Sequence, residues 1–220
     1  ALDNNDLESS LKLVKKLKHE TFAFKLGYEF FLNFGLEGYK YIQKEEVNIF
    51  LDLKLHDIPN TVEKGIEAIS KLNPYFTTIH LSGGDEMQKI AAKNKGNIKI
   101  LGVSILTSLD SEQTKKYYYN KKVEDIVYNF AKNALDNGLD GVVCSPKEIK
   151  IIKKATQNKL LIVTPGIRPL DYNDSFDDQK RTMSPKEALE VGANYLVIGR
   201  PITKAPDPLD VLKNINSSLE

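Results

Sequence analysis

The sequence predicts a (β/α)₈ barrel, and three observations carry the prediction. A short β-rich apolar run followed by an amphipathic stretch recurs along the whole chain. Strands alternating with helices imply right-handed βαβ units and a parallel sheet. The 220 residues contain no linker or low-complexity segment, so one domain spanning 1–220 is expected. A doubly wound open sheet is the competing architecture.

Taken in order, Ala1-Leu2-Asp3 reads as the end of a strand with almost no body, so residues preceding Ala1 are expected. A helix over Leu7–His19 follows from Leu11, Val14 and Leu17 at helical spacing. Strands are predicted at Phe22–Gly27, Val47–Lys54, Phe76–Leu81, Ile98–Ile105, Gly141–Cys144, Leu160–Thr164 and Tyr195–Gly199. Helical patterns lie between them at Thr61–Leu72, Gly84–Asn94, Val123–Asn137, Ser145–Ala155 and Ser184–Val191. Ser145-Pro146-x-Glu148 and Ser184-Pro185-x-Glu187 each place an N-cap, a proline at the first helical position and a glutamate at the third.

Composition excludes several classes. Net charge is +1, which gives no electrostatic footprint for nucleic acid or an anionic membrane. No apolar run approaches the ~18 residues of a membrane span. The single Cys144 cannot form an internal disulfide, which suits a reducing cytosol. One cysteine and three scattered histidines (His19, His56, His80) do not make a zinc site, and Cys144 reads as a small buried hydrophobe.

In a barrel, chemistry sits at the C-terminal ends of the strands. Those ends carry Asp3, Lys25, Asp52 with Lys54, His80, Thr107 and Arg200. Side chains alternate along a strand, so Asp52 and Lys54 are expected on one side. A lysine facing a barrel interior needs a carboxylate, because an unpaired buried charge is costly. Asp3 and Asp52 flank Lys25 on neighbouring strands, so an alternating Asp-Lys-Asp-Lys array is expected. His80 reads as a hydrogen-bonded barrel residue rather than a metal ligand.

A second constellation reads as a phosphate site. The last strand ends in Gly199-Arg200, a close-approach glycine beside a forked donor. Phosphate in barrels often sits at the loops after the seventh and eighth strands. The preceding strand leads into Thr164-Pro165-Gly166-Ile167-Arg168 and a polar stretch reaching Arg181, which reads as a mobile lid.

Together these segments resemble the orotidine 5′-monophosphate decarboxylase family, over essentially the whole chain. The specific block is Asp52-Leu53-Lys54-Leu55-His56-Asp57-Ile58-Pro59-Asn60-Thr61. Phe24-Lys25-Leu26-Gly27, Leu106-Thr107-Ser108, Thr164–Arg168, Gln179 and Ile198-Gly199-Arg200-Pro201 support it. The resemblance implies a homodimer with active sites at the subunit interface and no metal or organic cofactor. It implies that Lys54 donates a proton to C6 and that Asp52 sits near the departing carboxylate. Asp57 would come from the other subunit and complete the array with Lys25. Asp3, Lys25 and the partner's Thr61 would hold the ribose hydroxyls, with Ile58 among the substrate-binding residues. Thr107, or Ser108 in its place, would meet the pyrimidine, and Arg168, Gln179, Gly199 and Arg200 the phosphate.

The residues suit that chemistry. Loss of CO₂ from C6 leaves a localised carbanion, and a pre-placed ammonium stabilises and then protonates it. Two other readings compete. A Mg²⁺-dependent sugar-phosphate decarboxylase or aldolase of the same superfamily shares Asp-x-Lys-x-x-Asp, though not the full continuation through Thr61. A non-catalytic nucleotide-binding barrel would need a broken charge array.

Overall fold

The computed structural model of the chain describes residues 1–169 and 182–219. The described strands are β1 (Ala23–Leu26), β2 (Asn48–Leu55), β3 (Phe76–His80), β4 (Lys99–Val103), β5 (Gly141–Val143), β6 (Leu161–Thr164) and β7 (Tyr195–Leu196). They lie side by side in chain order, each parallel to the next. The N-terminal residues join the two outer strands. Leu2 N–H donates to the Lys25 carbonyl of β1 at 2.9 Å, and the Ala1 nitrogen donates to the Ile198 carbonyl just beyond β7 at 2.8 Å. Ala1-Leu2-Asp3 thus takes the place of an eighth strand, and the curled sheet closes as a barrel around it.

The described α-helices are α1 (Leu7–Leu17), α2 (Tyr28–Gln43), α3 (Pro59–Leu72), α4 (Asp85–Asn94), α5 (Ser111–Tyr117), α6 (Val123–Asp136), α7 (Ile149–Thr156), α8 (Pro185–Glu190), α9 (Arg200–Thr203) and α10 (Pro208–Ser217). Strand periodicity divides the core in two. Phe50, Phe76, Leu101 and Val163 form a buried layer inside the barrel, where the Phe50 and Phe76 rings meet edge to face at 5.7 Å. The alternate residues, among them Ile49, Leu51, Ile79, Ile100 and Ile162, pack outward with the helices. Each such aliphatic side chain, fully buried, contributes about 1.5–3 kcal/mol.

Local chemistry sets the helix ends. Asp6 accepts the Ser9 N–H at the start of α1, and Ser184 with Glu187 forms a capping box on α8. The Ser145–Glu148 capping box opens a 3₁₀ turn, so α7 proper begins at Ile149, later than its cap suggests. At the other end of α3, Asn73 adopts the left-handed conformation (φ 54°).

Four helices, α2, α5, α9 and α10, stand where the sequence pattern predicts none. The reason is clearest for α2. Phe30, Tyr39 and Ile42 on it are buried, while Tyr28, Leu32, Leu36 and Tyr41 are exposed, so no single apolar stripe marks it. Gly35 (φ 55°, ψ −148°) kinks it. Gly38 belongs there because a Cβ at that position would run into Phe34.

Candidate active site

The β2 segment that carries the acid-lysine block is not a regular strand where the chemistry lies. Its register against β3 shifts between Leu51, opposite Thr77, and Leu55, opposite Ile79. Four steps along β2 are matched by two along β3, and Lys54 absorbs the excess with φ 45°. Simple alternation therefore does not place Lys54 beside Asp52, as expected from the sequence; a bulge re-aims it. The result is still a close pair, with Lys54 Nζ 2.8 Å from Asp52 Oδ2.

Two more charges extend the pair. Lys25 Nζ on β1 lies 3.5 Å from the same Asp52 oxygen and 3.8 Å from Asp3 Oδ1. The order is Asp3, Lys25, Asp52, Lys54 across three neighbouring segments, so each charge offsets the desolvation of the next. Asp52 is the buried centre, at 6% exposure. Its second oxygen, Oδ1, accepts the Thr78 hydroxyl at 2.9 Å. Lys54 also lies over the Tyr28 ring, 5.6 Å from its centre, and Tyr28 Oη donates to the Leu53 carbonyl.

Burial alone would push the Asp52 carboxyl up. The Lys25 and Lys54 ammoniums, with hydrogen bonds from Lys54 and Thr78, more than offset it and hold Asp52 below the usual carboxylate range. The unfolded chain therefore binds more protons at this group than the folded one, so stability rises with pH across that interval. The contribution is present above the ordinary value of about 4 and is lost as pH falls through the lowered folded-state value. We expect Asp52→Asn to flatten the acid side of the stability curve. Melting temperatures of the two proteins between pH 6 and pH 3 check it, and parallel curves would contradict it.

The array opens into a cavity of about 290 Å³ at the C-terminal mouth of the strands. Asp3, Lys25, Asp52 and Lys54 form one side, and Val103, Ile105, Val143 and Val197 give it an apolar wall. Thr107, Arg168, Gly199 and Arg200 also line it, whereas Ser108 is exposed and does not. The polar loop read as a lid, with Gln179, lies outside the described residues. Cys144 reaches the cavity, but burial pushes its thiol well up, so it is a neutral wall group.

Asp57 and Thr61 are not brought into this cavity. They are exposed and line a separate cleft with Tyr28, Lys54, His56 and His80. Ile58 is 67% exposed at the start of α3, outside both clefts. His80 is part-buried and faces His56, with ring centres 5.3 Å apart. Burial lowers its pKa, and His56 and Lys54 lower it further, so it is neutral at pH 7.

The model of the orotidine 5′-phosphate decarboxylase / HUMPS family matches residues 1–215. This chain belongs to the orotidine 5′-phosphate decarboxylase family. An orotidine 5′-phosphate decarboxylase from Ehrlichia chaffeensis is 44% identical over 100% of this chain and 95% of its own length. One from Wigglesworthia glossinidia brevipalpis is 39% identical with the same coverage. Among solved structures, the orotidine 5′-phosphate decarboxylase of Lactobacillus acidophilus superposes with a TM-score of 0.84 at 36% identity, covering 100% of this chain and 96% of its own.

Two residues of this family member's site escape a reading by strand ends. Thr78 and Tyr28 both touch the Asp52–Lys54 block from outside it. Thr78 had a legible signal, since Thr77-Thr78 inside an apolar strand commits two hydroxyls to burial and each must find a partner. Tyr28 had none, because the helix that carries it shows no stripe.

Proposed function

We propose that this chain decarboxylates orotidine 5′-monophosphate to UMP and CO₂, the last step of de novo UMP synthesis. The single observation that carries the reading is the Asp3-Lys25-Asp52-Lys54 array on one side of a cavity that Arg168 and Arg200 also line. Lys54 stands where charge develops at C6, stabilises the carbanion and then protonates it. Asp52 and Lys25 orient that ammonium. Asp3 and Lys25 take the ribose hydroxyls, Thr107 the pyrimidine, and Arg168, Gln179, Gly199 and Arg200 the phosphate. The apolar wall excludes water from the reacting carbon, which strengthens every electrostatic interaction there.

The active unit in this proposal is a homodimer. Asp57 and Thr61 do not line their own cavity and share a cleft with Lys54 and Tyr28. Tyr28, Leu32, Leu36 and Ile58 are exposed apolar side chains on α2 and at the start of α3. A second copy of the chain covers them and delivers its Asp57 and Thr61 into this site, and receives the same in return. No helix of the described residues is long and apolar enough to cross a membrane.

The deciding experiment follows loss of orotidine 5′-monophosphate spectrophotometrically, with and without EDTA. Turnover that survives the chelator supports the reading. Turnover of a sugar phosphate such as 3-keto-gulonate 6-phosphate, dependent on Mg²⁺, would replace it, and UMP binding without turnover would leave a nucleotide-binding barrel. Arg200→Ala is expected to raise KM by about 10- to 150-fold, because a charge-assisted contact to phosphate contributes about 1.5–3 kcal/mol. Steady-state kinetics check this, and phosphite should activate the wild type on a substrate lacking phosphate. No activation by phosphite would remove the argument that phosphate binding promotes the chemistry.

A further inference from the structure

We infer that Thr78 is a positioning residue for the decarboxylation step, its hydroxyl tying the backbone of Lys54 to the carboxylate that the Lys54 ammonium grips. The inference rests on the proposed function, and its argument is geometric. Because β2 slips against β3 between Leu51 and Leu55, the Lys54 N–H leaves the regular ladder. Its φ of 45° is a conformation that residues with a Cβ rarely adopt and that surroundings must enforce. The enforcing group is Thr78 Oγ1, which accepts the Lys54 N–H at 2.9 Å. The same hydroxyl donates its one hydrogen to Asp52 Oδ1 at 2.9 Å. Asp52 Oδ2 in turn meets the Lys54 ammonium at 2.8 Å. Backbone, hydroxyl, carboxylate and ammonium therefore form one closed loop.

Thr78 is fully buried, so no solvent molecule competes for its hydroxyl. Without that hydroxyl, Asp52 Oδ1 and the Lys54 N–H lose a partner in the same place. The carboxylate is then free to rotate about its Cβ–Cγ bond, and the bulge loses the bond that fixes its shape. The ammonium drifts from the position it needs in the transition state, although the nucleotide's ribose and phosphate still find their sites. A group placed this way acts on kcat rather than on ground-state binding.

Thr78→Val removes the hydroxyl and keeps the shape. We expect kcat to fall about 10- to 100-fold, the effect of one unsatisfied buried hydrogen bond in a preorganised site, with KM and the affinity for UMP changed by no more than about threefold. Thr78→Ser restores the hydroxyl and is expected to return kcat to within about threefold of wild type. Thr78→Ala repeats the loss if the valine disturbs packing. A Thr78→Val protein within about twofold of wild-type kcat overturns the inference. So does a Thr78→Ser protein as impaired as the valine variant, since a packing role would produce that pattern. Crystal structures of wild type and Thr78→Val read the positioning without any turnover. If the wild type does not consume orotidine 5′-monophosphate, the proposed function fails on its own. An unaltered Lys54–Asp52 pair in the variant overturns the positioning claim independently.

Discussion

Lys54→Ala is expected to lower kcat for orotidine 5′-monophosphate by at least about a thousandfold, since it removes both the electrostatic stabilisation of the carbanion and its proton donor. Nucleotide binding should survive. Asp3, Lys25, Arg168 and Arg200 stay in the cavity, and the loss of one cation from an array of two acids and two bases leaves Asp52 still paired with Lys25 at 3.5 Å. UMP affinity in the variant, measured by calorimetry, separates lost chemistry from lost binding. A variant that keeps more than a few per cent of wild-type kcat would remove Lys54 from the mechanism. An inactive variant that also fails to bind UMP would show that the lysine holds the site together rather than acting in it.

Mixed dimers give the second large effect. Lys54→Ala and Asp57→Ala homodimers are each expected to be nearly inactive. In the proposed assembly each site takes Lys54 from one subunit and Asp57 from the other. Mixing the two variants after reversible dissociation produces heterodimers in which one site carries both defects and the other carries neither. Random pairing makes half of the dimers mixed, so activity should recover to about a quarter of wild type. The measurement is a titration of one inactive variant into the other, with recovered turnover plotted against the mixing ratio. Absence of recovery, with mixed dimers demonstrated by mass, would place Asp57 in its own subunit's site or outside the chemistry. The geometry argues for the crossed arrangement because Asp57 and Thr61 are exposed and lie in a different cleft from Asp3, Lys25 and Asp52.

The two experiments address different halves of one short segment. Asp52 and Lys54 lie on β2, and Asp57 to Thr61 form the turn and the first residues of α3. In the proposed dimer, these ten consecutive residues serve two cavities, and dimerisation is a condition of activity as well as a way to cover Tyr28, Leu32, Leu36 and Ile58.

How much of this was legible beforehand differs by element. The alternating strands and helices follow from short-range periodicity, and the structure places a strand in each of the seven main runs. Capping residues are equally local: Ser184 marks the start of α8 in sequence and structure alike, and Ser145 caps the 3₁₀ turn that leads into α7. The partners of Lys25 were legible because a charge facing a barrel interior has few ways to be compensated. By contrast, α2 was not legible, since its apolar residues face the core on one side and the surface on the other. A pattern that depends on what covers a helix cannot be read from the helix alone.

The sequence by itself determined the barrel class, the strand-end acids and lysines, and the Asp52–Thr61 block that marks the family. Only the tertiary structure decided how those residues meet. The slip of β2 against β3 is a relation between two strands 24 to 26 residues apart, and it puts Lys54 at a positive φ with its N–H on Thr78. The parting of Asp57 and Thr61 from Asp52 likewise depends on where β2 ends and α3 begins in space. Periodicity reports which face a side chain takes within one element. Register and turn geometry, which join charges from different elements into one site, arise only when the elements pack.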